Sequence, residues 1–254
     1  MKIIYYYQTF VGLEKLKNKH CATDIVISSI HFGEGKIYLN DDEPTNEKFN
    51  TLWKETEMLS MNGIEIACMV GGAGGAFTKL FSDYEMYYGL FKEFLVSKPW
   101  IRGVNIDVEE EVSIDDIKKL IKDIRKDFGE DFTISMAPVS SAMEEDIPGM
   151  GGFNYKTLFG SAEGKLIDYF NCQCYESFSL ETYKKIIDNG YPEDKIVMGM
   201  MSGQFTDGPH SFVKPVHDIK TNYQGACGFF DWEYLDAPPN KADPSEWAEL
   251  IRKA

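Results

Sequence analysis

Short β-rich runs recur along the whole chain with helical patterns between them, and this alternation most limits what the chain can become. The runs are Lys2–Tyr7, Asp24–Phe32, Ile64–Val70, Ile101–Val108, Phe132–Ala137, Leu166–Tyr175, Lys195–Met200 and Gly225–Trp232. Each is rich in Val, Ile, Tyr, Phe or Met and bounded by Gly, Asp or Pro, as strands are. Between them apolar residues fall at helical spacing. Ile114, Ile117, Leu120, Ile121, Ile124 and Phe128 make one such face. Ser113, with Asp116 three residues on, predicts its N-terminal cap. Amphipathic stretches predict further helices over 46–61, 83–96, 180–188 and 245–251, whereas the connection after the first run is poor in helix and those after the fifth and seventh carry weak patterns. No linker, low-complexity segment or internal repeat interrupts the series, so 1–254 reads as a single α/β domain. Parallel strands joined by helices form an open doubly wound sheet or a closed (β/α)8 barrel, and eight runs in 254 residues favour the barrel.

Composition removes several functions. A hydrophobic fraction of 43% with 14% aromatics is far from disorder. The formal net charge of −15 argues against nucleic acid and against an anionic membrane surface, both of which attract Lys and Arg. It suits a neutral or cationic ligand. No apolar run approaches the roughly 18 residues of a membrane span. The start, MKIIYYYQTF, lacks a signal-peptide core and cleavage site, so a cytoplasmic location is expected for the chain as it begins here and a secreted one for a processed form. Cys21, Cys68, Cys172, Cys174 and Cys227 are odd in number and mostly in apolar stretches, which predicts reduced, buried thiols. Cys172 and Cys174 alternate as strand residues on one face do, without further ligands at a metal spacing. The histidines, His31, His210 and His217 among them, form no metal or Ser/His/Asp pattern, and no cofactor is implied.

The chemistry concentrates in Arg102-Gly103-Val104-Asn105-Ile106-Asp107-Val108-Glu109-Glu110-Glu111. Side chains alternate along a strand, so Val104, Ile106 and Val108 face one way and Asn105, Asp107 and Glu109 the other. The apolar set can pack under helices, leaving the polar set to line the barrel interior and rise toward its mouth. Neighbouring buried carboxylates are costly unless hydrogen-bonded or sharing a proton, and their proximity raises one pKa toward that of a general acid. A solvated strand end leading to a helix N-terminus accounts for Glu110 and Glu111 equally well, but not for Asn105 and Asp107 among apolar neighbours.

Gly103-Val104-Asn105-Ile106-Asp107-Val108-Glu109 resembles the fourth-strand signature of family 18 glycoside hydrolases, DGxDxDxE. Other segments resemble that family in the same order: Ile66–Gly72 its third strand ending in SxGG, Ser135-Met136-Ala137-Pro138 its MAP segment, Gln173-Cys174-Tyr175-Glu176 its sixth strand, and Gly225–Tyr234 the last strand with its sugar-stacking Trp. The spacing leaves no room for the inserted α+β domain of larger chitinases, so the resemblance is to compact, hevamine-like members. The departures are Arg102 and Asn105 in place of the first two Asp residues, Met69 for the Ser of SxGG, and Val139 after the MAP segment. Asn105 can still hydrogen-bond Asp107 but cannot take its proton.

The resemblance implies an enzyme acting on β-1,4-linked N-acetylglucosamine, in chitin fragments or the chitobiose core of N-glycans, without a cofactor. Glu109 would protonate the leaving oxygen, the substrate's own acetamide would attack, Asp107 would orient it and Tyr175 would donate to its carbonyl. Asn105, Gln173 and Glu176 would contact the sugar. Trp232, or Phe230 if the register shifts by two, would stack beneath it, and Tyr6, Phe32, Gly71, Gly72 and Met136 would shape floor and wall. The expected partner is an N-acetylglucosamine-containing oligosaccharide, with neither nucleic acid nor membrane, and the expected state a monomer. The alternative function is a catalytically weak, chitinase-like lectin. The Gly71–Gly75 loop lacks the Lys-Ser/Thr of a phosphate loop and fits a tight turn or close backbone approach better.

Overall fold

The computed structural model describes residues 1–17, 21–205 and 207–254. Eight parallel strands close into a barrel: β1 (Lys2–Tyr7), β2 (Asp24–Gly33), β4 (Glu65–Gly71), β5 (Ile101–Asp107), β6 (Thr133–Met136), β7 (Tyr169–Gln173), β8 (Ile196–Met201) and β9 (Gly228–Trp232). Closure is by β1, which pairs with both β2 and β9. A short strand absent from the sequence expectations, β3 (Lys36–Leu39), folds back antiparallel on β2 as a hairpin. The signature segment of the fourth run is therefore β5.

The helices are α1 (Asn50–Met61), α2 (Ala76–Ser82), α3 (Tyr84–Ser97), α4 (Ile114–Phe128), α5 (Ser140–Glu144), α6 (Tyr155–Phe159), α7 (Leu180–Asp188), α8 (His210–Asn222) and α9 (Ser245–Lys253). The apolar face of α4 buries Ile117, Leu120, Ile121 and Ile124, and the Ser113 side chain caps it by accepting from the Asp115 N–H rather than from Asp116. The crossovers that looked weak in sequence are served by the one-turn α5 and α6 and by α8, while β1 is followed by a single 3-10 turn at Glu14–Leu16.

Alternation along the strands builds two cores. Outward residues such as Ile25, Cys68, Val104, Ile106, Cys172 and Cys174 pack under the helices, and all five cysteines are free. Inward residues Ile4, Tyr6, Val26, Ala67, Met69, Tyr169, Val197 and Phe230 fill the barrel. Polar inward positions gather on the β5–β7 side: Asn105, Asp107, Ser135 and Asn171, all buried. In β2 the register against β4 slips between Ile27 and Ile30, so an extra residue is accommodated. Such a bulge reverses the in–out phase beyond it.

Arg125, in the last turn of α4, is 8% exposed and closes the base of the barrel. It donates to the carbonyls of Gly129, Glu130, Phe132 and Leu166 and to the Asp168 carboxylate, gathering the segments that feed β6 and β7.

Candidate active site

A cleft of about 1010 Å³ opens at the C-terminal mouth of the barrel, and every barrel strand contributes to it. Tyr6 comes from β1, Ser29 and His31 from β2, Met69 from β4, Asp107 from β5, Ala137 from the end of β6, Gln173 from β7, Met201 from β8 and Trp232 from β9. This is the end at which barrel enzymes carry their chemistry, because the strand ends converge there from different parts of the sequence.

Asp107 sits on the floor with 5% of its surface exposed, and Glu109 stands half-buried above it at the rim. The Gln173 amide donates to Asp107 Oδ1 at 3.1 Å and to the Ala137 carbonyl at 2.8 Å, so the backbone fixes which end of the amide faces the acid. Burial drives the Asp107 carboxyl well above the ordinary carboxylate range, neighbouring Glu109 pushes the same way, and the Gln173 hydrogen bond opposes both. Tyr175 lines the same cleft. Burial, then Tyr6, Asp107, Glu109 and Asp231, raise its phenol, which keeps it a neutral donor.

Beneath Asp107 lies a directed hydrogen-bond chain. The Asn171 amide donates to the Tyr6 hydroxyl (2.8 Å), which donates to Asn105 Oδ1 (2.9 Å). The Asn105 amide then donates to Ser135 Oγ (3.0 Å), whose hydroxyl donates to the Val104 carbonyl (3.3 Å). The chain runs through neutral groups alone. Asn105 is thus spent on Tyr6 and Ser135 and does not bond Asp107, contrary to the expectation above.

The twin glycines have a steric role. The Gly72 N–H donates to the Asp107 carbonyl at 2.9 Å. A Cβ at Gly71 would lie 2.1 Å from that carbonyl oxygen and 2.5 Å from the Phe77 ring, and one at Gly72 would lie 2.9 Å from the Met69 methyl. Both residues have positive φ, which glycine adopts freely. Gly72 lines the cleft and Gly71 backs it. Glu110 crosses to the same region, accepting from the Phe77 N–H at 2.5 Å and from the Thr78 hydroxyl. It therefore caps α2, not the α4 terminus that the sequence suggested.

Of the expected site residues, Asn105 is fully buried beneath Asp107 and so cannot contact a sugar, Gly71 only backs the cleft, and Phe32, Met136 and Glu176 lie elsewhere. Phe32 faces outward and packs on Tyr87 and Phe91, because the β2 bulge inverted its phase. His31 takes the cleft position, with Ser29 Oγ 2.8 Å from its Nε2. Burial lowers the His31 imidazole pKa, against Asp41 and Glu110. Met136 is fully buried in the outer core, one residue out of phase with Ser135 and Ala137. Glu176 follows Tyr175 beyond the strand and is exposed outside the cleft. Phe230 lies buried in the barrel below, in edge contact with Tyr175, so of the two candidates it is Trp232 that reaches the cleft, packed on Tyr6 at 5.4 Å. Period two would have found Ser135 and Asn171, which stand two residues before Ala137 and Gln173. Nothing local in the sequence marked Glu233, which accepts from the Gln8 N–H (2.9 Å) and the Thr9 hydroxyl (2.7 Å) of the rim.

No family model matches the sequence, and no curated protein matches it. Solved structures do. A fungal endo-β-N-acetylglucosaminidase of glycosyl hydrolase family 18 superposes with a TM-score of 0.89 at 30% identity, over 99% of this chain and 96% of that one. A chitinase, ChiC, from Aspergillus fumigatus gives 0.87 at 29% identity, over 99% and 98%. A Rhizomucor miehei chitinase, at 13% identity and a TM-score of 0.70 over 98% and 100%, shares the fold. The barrel with its acids at the strand ends is that of a glycosidase. The chain belongs to glycoside hydrolase family 18 and is a glycoside hydrolase.

Proposed function

We propose that the chain hydrolyses the β-1,4 linkage between N-acetylglucosamine units, in chitooligosaccharides or the chitobiose core of N-glycans, with the substrate's acetamide as nucleophile. The observation that carries this is the pairing of one buried, hydrogen-bonded carboxyl, Asp107, with one rim carboxyl, Glu109, on the same side of a strand. An enzyme nucleophile has to reach the anomeric carbon, and a carboxyl on the floor tied to Gln173 is better suited to orient a group than to attack. Relatives named for N-acetylglucosaminidase and chitinase activity support the same substrate class.

Glu109 gives its proton to the glycosidic oxygen as the bond to the anomeric carbon breaks. The acetamide oxygen closes on that carbon, and the positive ring so formed develops beside Asp107, whose negative charge is then favoured. The Tyr175 hydroxyl donates to the acetamide oxygen, holding it in line. Water, deprotonated by Glu109, opens the ring with retention. Asn105 cannot take a proton, so the proton of Asp107 passes to Glu109 and is the one delivered to the leaving oxygen. Both carboxyls are then ionised beside the positive ring, and Glu109 is free to deprotonate the water. Trp232 offers its face to the apolar side of the sugar.

The test is incubation of the parent and Glu109→Gln with chitopentaose and with an N-glycan, products read by mass spectrometry. Shorter oligomers from the parent, with roughly a hundred-fold or greater loss in the variant, are expected. Equal rates in both would remove Glu109 from the reaction, and intact substrates throughout would remove the substrate class.

A further inference from the structure

Asp231 is a buried acid that this mechanism does not use. It immediately precedes Trp232 in β9, has no exposed surface, and faces away from the cleft. Its Oδ2 lies 2.7 Å from the Ser202 hydroxyl, and its Oδ1 has no hydrogen-bond partner among the described residues. The same hydroxyl lies 2.9 Å from the backbone carbonyl oxygen of Glu233. A hydroxyl has one proton, and a carbonyl can only accept. Both contacts are full hydrogen bonds only when Asp231 is itself protonated and donates to Ser202, which donates to Glu233. The orphaned Oδ1 agrees, since a neutral carbonyl oxygen is far less costly to leave unpaired than a buried carboxylate oxygen.

The surroundings favour that neutral form. Burial drives the Asp231 carboxyl well above its ordinary range, and Glu233 and Asp236 add to this against the Ser202 hydrogen bond. The charge of Asp231 is also felt by Tyr5 of β1 and by Tyr175 beyond β7, both neutral phenols. The segment it holds is part of the cleft. Glu233 grips the Gln8 and Thr9 backbone, the Gln8 carbonyl accepts from Asn40, and Trp232, Gln8, Thr9 and Asn40 all line the opening.

We propose that Asp231 is a positioning residue, a neutral carboxylic acid that acts through Ser202 to hold the Trp232–Glu233 segment and its rim in place, and that frees them when it ionises. On ionisation the Ser202 hydroxyl turns to the carboxylate, and the Glu233 carbonyl loses its donor. The functional half rests on the reading of Trp232 as the sugar platform.

Protein carrying isotope-labelled aspartate, followed by carboxyl resonance from acid to alkaline pH, tests the neutral acid directly. One aspartate should resonate as a neutral acid at neutral pH, persisting in Asp107→Asn and vanishing in Asp231→Asn. Kinetics on chitopentaose test the positioning. Asp231→Ala and Ser202→Ala should each raise KM several-fold with kcat little changed. Asp231→Asn, which keeps a donor toward Ser202, should restore KM and move its alkaline rise to higher pH. An Asp231 resonance already ionised at neutral pH overturns the proposal, as does an unchanged alkaline rise in Asp231→Asn. If the parent cleaves no N-acetylglucosamine oligomer, the proposed reaction fails separately, and the resonance alone decides for or against the neutral acid.

Discussion

Asp107 is held on the cleft floor by Gln173 and crowded by Glu109, and its carboxyl lies well above the usual range because burial opposes its charge. A raised folded-state pKa means that folding favours the protonated form. The stability it contributes is complete below the ordinary carboxylate range and is lost as pH rises through the folded value. Asp107→Asn keeps the acceptor for Gln173 and removes that loss. It should melt a few degrees above the parent at neutral pH, the two converging in acid, with kcat falling roughly a hundred-fold; calorimetry across pH and a hydrolysis assay read both. Position 105 gives the opposite result. The neutral chain through Tyr6 and Ser135 offers a carboxylate no compensating charge, so Asn105→Asp should lose about 1–3 kcal/mol in neutral urea unfolding and recover in acid.

Among the elements, the two ends of the barrel separate stability from activity. Arg125 gathers four carbonyls and Asp168 at the end where β6 and β7 begin, away from the cleft. Arg125→Ala would remove the donor these acceptors share, Asp168 keeping only the Ile134 N–H among the described residues, and a loss of about 3 kcal/mol or more is expected from denaturant titration. At a temperature where the variant is folded, kcat and KM should stay close to the parent's, since β5 and the strand ends are untouched. The opposite end depends on contacts between loops: Gly72 against Asp107, Glu110 on α2, Glu233 on the Gln8–Thr9 turn.

The whole molecule carries a formal charge of −15, while the cleft chemistry is a local matter of few charges. Self-repulsion on that scale is relieved by salt. Raising NaCl from about 0.05 to about 0.5 M, which shortens the screening length several-fold, should raise the melting temperature. KM for a neutral chitooligosaccharide should stay flat over the same range, because the ligand has no charge to screen. A KM that changed several-fold would point to a charged substrate instead.

The order of the barrel strands and of the longer helices was legible because those elements satisfy a periodicity that any local window exposes, whereas the short β3, α5 and α6 do not. The acids at the end of β5 stood out because polar residues alternated with Val and Ile in a buried run. Gln173, Tyr175 and Trp232 were named through the resemblance to family 18 motifs, and strand phase puts all three on the cleft lining while Phe230 stays below it. Folding in three dimensions decided the rest. A bulge in β2 exchanged Phe32 for His31, and Glu110 chose a helix more than thirty residues earlier in the chain. Asn105 turned from Asp107 to partners on β1 and β6. Side-chain alternation is local and survives in the sequence, whereas the partner of a buried polar group depends on which distant strands closure brings beside it.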